Sequence, residues 1–292
     1  MNSQENNSQI TANRFPAGRG LAWLMQSLAL IKAQAGRLLF MAVLLQLILG
    51  LSQVPILGML VILALPAFSA GLLEAFHRVE TGALLPASIL FVPIAQKPAN
   101  GRLLLLGLLM FATSAIAVML VMGGVDTQLD PELLKRIEQG DAEALAMLDP
   151  ALISKVLIAA LLAVSLSGTI SFLAIPLIWF HNMPMLKALL TGLRGLARNW
   201  QPFLVLGLGM MVLLIPVLVF LGLMVGLASS ISPLSLLFLV LLMLAALLFQ
   251  LVVLGTQYCA CRDIFGLGAT AGEADNADGQ NDSSNDDGQL LA

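Results

Sequence analysis

Six stretches of the chain, roughly residues 38–51, 56–76, 103–123, 153–180, 202–228 and 234–258, are strongly apolar, and only Glu74 and Lys155, both near ends, place a charge inside them. About 18 or more apolar residues are enough to cross the hydrocarbon core of a bilayer as a helix, whereas in water such runs would have nowhere to hide. The runs are unbroken and leucine-rich, without the alternation of an outer-membrane barrel, which points to helices. Composition agrees, with 59% of the 292 residues hydrophobic and 11% charged. The expected fold class is all-α, a polytopic membrane bundle of six transmembrane helices. The 38–51 run is short for a crossing, which places the start of its helix before Arg37, whose long side chain can reach back to the interface. A polar start, MNSQENNSQITANRFP, comes before the first run, and no A-x-A-like site follows that run, so no removable signal peptide is expected.

The turns SQVP (Ser52 to Pro55) and SSISP (Ser229 to Pro233) are short, uncharged and contain helix-ending prolines, so spans one and two, and five and six, read as hairpins. Eleven of the 14 cations precede the first span, lie between spans two and three or four and five, or follow the sixth; Lys135, Arg136 and Lys155 lie on the other side. Cations favour the cytoplasmic side, so both termini are expected there. The opposite face has one substantial loop, about 124–152, with seven acidic residues. Asp130-Pro131 and Asp149-Pro150 each put a capping carboxylate before a proline at the first helical position, and Gly140-Asp141 can end one short helix and cap another, which predicts two short helices in the loop. This loop reads either as an acidic lid or partner site, or as a segment kept wet by its charges.

MLKALLTGLRGLARNW, Met185 to Trp200, is the best-patterned segment. Leu186, Leu189, Leu190, Leu193, Ala197 and Trp200 recur at helical spacing on one side, and Lys187, Thr191, Arg194 and Arg198 on the other. A helix with an apolar stripe and a cationic stripe, ending in Trp, lies in the membrane interface and meets anionic head groups. Lys187, Arg194 and Arg198 are therefore the candidate lipid contacts, with topology setting as the plainer alternative. Leu21 to Arg37 has a related pattern, with Leu21, Leu24, Met25, Leu28 and Ile31 on one face; Leu84 to Arg102 occupies the equivalent place before span three, interrupted by Pro86, Pro93 and Pro98. The chain thus reads as three units of interfacial segment, span, turn or loop, span.

Spans two, four and six end in EAFHRVETG, WFHNMP and QYCACRDIFG, where aromatic and polar residues gather. Such residues mark the head-group level. His77 and His181 read as interface residues, with a joint metal or proton site as the alternative; Cys259 and Cys261 form CAC, which lacks the spacing of a zinc knuckle or a redox pair. SLSGTIS brings Ser165, Ser167, Thr169 and Ser171 to mid-membrane. These hydroxyls either pack helices, bonding across an interface or to the preceding turn, or line a polar pathway. The glycines at 50, 58, 207, 209, 222 and 226 also suit close helix packing.

No P-loop, HExxH, GxSxG or dinucleotide fingerprint occurs, and the spans lack the buried ionisable groups on which ion-coupled carriers rely. No catalytic residue, metal site or cofactor is expected, and no nucleic-acid partner. The organisation reads as an N-terminal tail over 1–16, a membrane domain over 17–267 and an acidic tail over 268–292, too poor in apolar residues to fold.

With GLAWLMQSLALIKAQAGRLLF, VPILGMLVILALPAFSAGLLEAFHRVETG and LLTGLRGLARNW in view, the chain resembles a family of uncharacterised six-span bacterial inner-membrane proteins. Their layout is similar to the membrane domain that accompanies some glycerophosphoryl diester phosphodiesterases. The resemblance covers about residues 17–267 and implies a bacterial inner-membrane location and an all-helical bundle; the phosphodiesterase barrel is absent, and no catalytic residue carries over. The expected function is a non-enzymatic membrane role through lipid or protein contacts, with a permease or channel for a small neutral or lipid-like solute as the alternative.

Overall fold

The computed structural model describes residues 12–122, 132, 135–136, 149–227 and 233–266. Every regular element among them is helical: α1 Arg19–Ala33, α2 Ala35–Gly50, α3 Pro55–Glu80, α4 Val92–Ala95, α5 Ala99–Met122, α6 Pro150–Phe180, α7 Met185–Arg198, α8 Trp200–Leu227 and α9 Pro233–Phe265. Most of the acidic loop and the whole of 268–292 lie outside the described residues.

Five of these helices contain a segment long and apolar enough to cross a membrane: Ile56–Glu80, Ala99–Val121, Pro150–Phe180, Trp200–Val219 and Val240–Phe265. The first expected span differs. Its helix does begin before Arg37, at Ala35, but α2 has only 16 residues. At about 1.5 Å per residue that is about 24 Å, short of the ~30 Å hydrocarbon core. Among the described residues, length and composition allow a sixth crossing only if α1 and α2, broken at Gln34, together make one span. The last span runs further than expected: α9 continues as helix through QYCACRDIF to Phe265, where Gly266, with φ 72°, ends it.

The helix ends follow local chemistry. Pro55 opens α3 at a position whose missing N–H costs no helical bond, after a 3-10 turn over Leu51–Gln53. Asp149 caps α6 as its sequence predicts, accepting from the Ala151 N–H at 2.9 Å with Pro150 next in line. Between α3 and α5 the three prolines leave only a 3-10 turn, Ala87–Phe91, and the short α4.

The chain divides into two compact units. One holds Ala33–Leu193, with α2 to α6 and the start of α7. Its buried side chains include Leu38 and Met41 of α2, Leu72, Leu73 and Phe76 of α3, Leu103 and Leu106 of α5, and Leu177 and Ile178 of α6. α5 packs on α3 and α6, and at Gly107 it approaches α3 so closely that a Cβ would run into the Leu63 carbonyl oxygen.

The other unit joins residues up to Lys32 with those from Arg194 onward. α1 therefore packs with the last two spans, although in sequence it leads into α2. Gly20 of α1 lies so close to α8 that a Cβ would collide with the Pro202 carbonyl oxygen and stand 2.9 Å from the Leu206 nitrogen. Ser27 donates to the Val252 carbonyl of α9 at 3.2 Å. The expected apolar face of α1 is consequently split: Leu24 and Ile31 are buried with Trp23, while Leu21, Met25 and Leu28 are exposed. Residues before 17 join this packing, since Asn13 N–H donates to the Ile264 carbonyl at 2.9 Å and the Phe15 ring lies edge-on to Trp23.

The long helices keep much of their apolar surface uncovered, most of all α8, where Leu204, Leu208, Met211 and Val212 are each more than half exposed. In water each such side chain forfeits about 1–2 kcal/mol of burial; against lipid tails it forfeits nothing.

Candidate functional site

α7 presents three faces where its sequence suggested two. At about 100° per residue, Ala188, Gly192, Gly195 and Asn199 fall within about 60° of one another. All four are buried. Within one unit a Cβ on Gly192 would lie 3.1 Å from the Leu173 Cβ of α6; within the other, a Cβ on Gly195 would lie 2.6 Å from the Phe265 Cζ of α9. Both glycines thus stand in close approach to a neighbouring helix, where an added Cβ would have to displace the Leu173 or the Phe265 side chain. Leu186, Leu190 and Leu193 stand about 160° around the helix from this face, and they are 65%, 48% and 59% exposed. Lys187, Arg194 and Arg198 are also exposed and occupy a flank about 110° from the packed face, opposite the half-buried Leu189 and Leu196. The helix therefore turns small residues to the protein, leucines away from it and cations to one side.

Asn199, just past the end of α7, ties down the residues before α1. Its Nδ2 donates to the Asn13 carbonyl at 2.8 Å and to the Gly195 carbonyl at 3.0 Å, and its Oδ1 accepts from the Phe15 N–H at 2.8 Å.

The polar span ends are built around carboxylates, one in each unit. Glu74 of α3 accepts from Arg78 Nε at 3.2 Å and from the Trp179 indole N–H of α6 at 3.1 Å. Asp263 of α9 accepts from Arg19 Nε at 2.7 Å, from the Trp23 indole N–H at 2.8 Å and from Arg262 at 3.1 Å. In both, an ion pair and an indole satisfy a carboxylate that is mostly withdrawn from solvent, 17% exposed for Glu74 and 8% for Asp263. The Trp23–Asp263 partnership was not foreseen, because 240 residues separate the two.

WFHNMP proves to be the turn between α6 and α7. Asn182 sits in the left-handed region at φ 51°, a conformation Asn tolerates. Arg102 donates to its carbonyl and, at 2.7 Å, to its Oδ1. His77 meets the Phe180 ring edge-on at 5.6 Å. His181 follows the last residue of α6, its buried Nε2 has no hydrogen-bond partner, and burial lowers its pKa, which favours the neutral imidazole. Among the described residues no group of three or more His, Cys, Asp or Glu side chains is arranged to hold a metal. Cys259 and Cys261 are fully buried and form no disulfide.

The four mid-membrane hydroxyls do not converge. Ser165 and Thr169 share one face of α6 and are exposed, with Thr169 donating to the Ser165 carbonyl at 2.8 Å; Ser171 is buried and donates to the Gly168 carbonyl at 3.2 Å. Only Ser167 reaches another helix, meeting Ser114 of α5 at 2.6 Å. Both of those serines line a cavity of about 520 Å³ among α3, α5 and α6, otherwise lined by apolar residues and glycines that include Ile62, Met110, Phe111, Ala163 and Val164. Of the glycines expected to allow close packing, Gly58 meets the Ser52 carbonyl and Gly209 the Leu24 side chain, whereas Gly50 and Gly207 have nothing near them.

These elements define a polytopic membrane helix bundle. Neither a protein-family model, nor a curated protein, nor a solved structure matches the chain. No comparison bears on the expected resemblance to six-span inner-membrane proteins.

Proposed function

We propose that this chain is a non-enzymatic integral protein of the bacterial cytoplasmic membrane, maintaining the envelope through contacts with anionic lipids or with membrane-protein partners. In this reading the membrane domain spans 17–267 in three hairpin-like units, and both termini are cytoplasmic, which requires α1 and α2 to count as one crossing. The location follows from the expected resemblance to six-span inner-membrane proteins and from the cation distribution along the sequence.

The observation that carries the reading is the three-way division of α7. With its glycine face against the protein, the leucine stripe of 186, 190 and 193 faces the acyl region while Lys187, Arg194 and Arg198 stand at head-group level. Each cation is worth about 1 kcal/mol of attraction to an anionic surface. The carboxylates nearest the spans support a non-enzymatic role, because Glu74 and Asp263 are each engaged by an arginine and an indole. The test is reconstitution of the K187Q/R194Q/R198Q variant in vesicles of phosphatidylcholine with graded phosphatidylglycerol or cardiolipin. Loss of the wild-type preference for anionic lipid is expected. A shift of orientation with lipid preference intact would make the stripe a topology signal, and retention of both would contradict the reading.

The second reading, a permease for a small neutral or lipid-like solute, is favoured by the cavity among α3, α5 and α6, with Ser167 as the one cluster hydroxyl that reaches it. Flux into proteoliposomes tests it; a solute panel giving no flux above empty liposomes counts against it.

A further inference from the structure

The cationic flank of α7 has an acidic counterpart in the same chain. Past Arg262 and Asp263 the sequence contains Glu273, Asp275, Asp278, Asp282, Asp286 and Asp287, and no lysine or arginine. One described contact and one helix end fix where this segment leaves the bundle. Phe265, the last residue of α9, lies against Gly195 of α7, and Gly266 then ends the helix. Gly195 is flanked by Arg194 and lies three residues before Arg198, so the acidic segment starts beside the helix that displays the cations.

The reach is ample. Glu273 is seven residues past Gly266, and an extended chain covers about 3.3–3.6 Å per residue, or roughly 25 Å. From Lys187 to Arg198 α7 rises only about 16 Å. A short flexible tether holds a ligand at an effective concentration of about the millimolar range, and the segment carries six negative charges against the three positive ones of α7.

We propose that residues 273–287 are a built-in acidic ligand of α7, occupying Arg194, Arg198 and Lys187 in competition with anionic lipid head groups. The proposal rests on the reading of α7 as a head-group-binding helix and adds its regulation: the chain limits its own lipid preference, and rising salt or an abundant anionic lipid releases the segment.

The test uses the full chain in nanodiscs, with the association of spin-labelled phosphatidylglycerol relative to phosphatidylcholine as the readout. Neutralising the segment (E273Q, D275N, D278N, D282N, D286N, D287N) should raise the relative association at least about fivefold at low salt, the equivalent of one unmasked charge at about 1 kcal/mol. The rise should vanish at 1 M salt, where the Debye length is about 3 Å, and should be absent in the K187Q/R194Q/R198Q background. In a second measurement, carbodiimide treatment of an R194K/R198K variant should join these lysines to carboxylates of 273–287, each amide forming with loss of water, as mapped by mass spectrometry. If neutralising the segment changes nothing while the triple Gln variant still loses lipid preference, the acidic ligand is wrong and the lipid reading stands. If the triple Gln variant also changes nothing, both fall.

Discussion

Replacing Gly20 with alanine tests the packing of α1 most sharply. In a helix interior alanine gains about 1 kcal/mol over glycine. At Gly20, however, the added methyl group meets backbone, the Pro202 carbonyl oxygen and the Leu206 nitrogen of α8, which cannot rotate away as a side chain does. Overpacking of this kind costs about 1–3 kcal/mol. Moving α1 outward would also pull Trp23 from Phe203, whose rings are 5.4 Å apart, and strain both Asp263 bonds to α1. The net expectation is a loss of about 1–2 kcal/mol, which in a chain of this size lowers the thermal midpoint by a few degrees. Gly18→Ala is the control, since nothing lies within 4 Å of a Cβ there. Circular-dichroism melts in detergent should separate the two, Gly18→Ala melting at or above wild type and Gly20→Ala below it. Equal midpoints for both would refute the close approach of α1 to α8.

Other expectations address the rest of the fold. Because burial holds the His181 imidazole below its usual 6.5, the unfolded chain binds the proton first; stability should fall as pH drops below about 6.5, and His181→Asn should lose less between pH 7.5 and 5.5 in the same melts. A double-mutant cycle of Glu74→Gln and Trp179→Phe should give a coupling of about 1–2 kcal/mol, as suits a hydrogen bond to a charged acceptor; a value near zero would mean the indole bond is not formed. Gly168→Leu points into open space beside the cavity and should leave the midpoint unchanged within error while abolishing any solute flux; a large destabilisation would show the cavity to be filled by protein. Cysteine labelling from outside should reach Gln139 and miss Asn199 and the C-terminal tail; labelling of the tail would overturn the charge-based orientation.

The spans were legible because each is a local pattern. An uncharged run of 20 residues needs no knowledge of what surrounds it, and α3, α5, α6, α8 and α9 appear where such runs stand. The Asp149 cap and the end of span four at WFHNMP were equally local. What depended on partners was not legible. Ala188, Gly192, Gly195 and Asn199 recur at i, i+4, i+7 and i+11, a usable signal, but hydropathy alone ranks small residues below leucine and so misses the packed face. The same bias put Leu21, Met25 and Leu28 on one apolar face with Leu24 and Ile31, whereas Gly20 and Ser27 set which side of α1 meets α8 and α9. The break at Gln34 carries neither proline nor glycine, so nothing in that residue announced that α1 and α2 are separate helices.

The most direct test of the three-faced interfacial helix is a spin-label scan along α7 in reconstituted vesicles, with oxygen reporting contact with lipid and a nickel chelate contact with water. Labels at Leu186, Leu190 and Leu193 should favour oxygen, labels at Lys187, Arg194 and Arg198 should favour nickel, and a label at Ala188 should be shielded from both. If the leucine positions favour nickel instead, α7 stands in water and the claim that it reads the membrane surface is wrong.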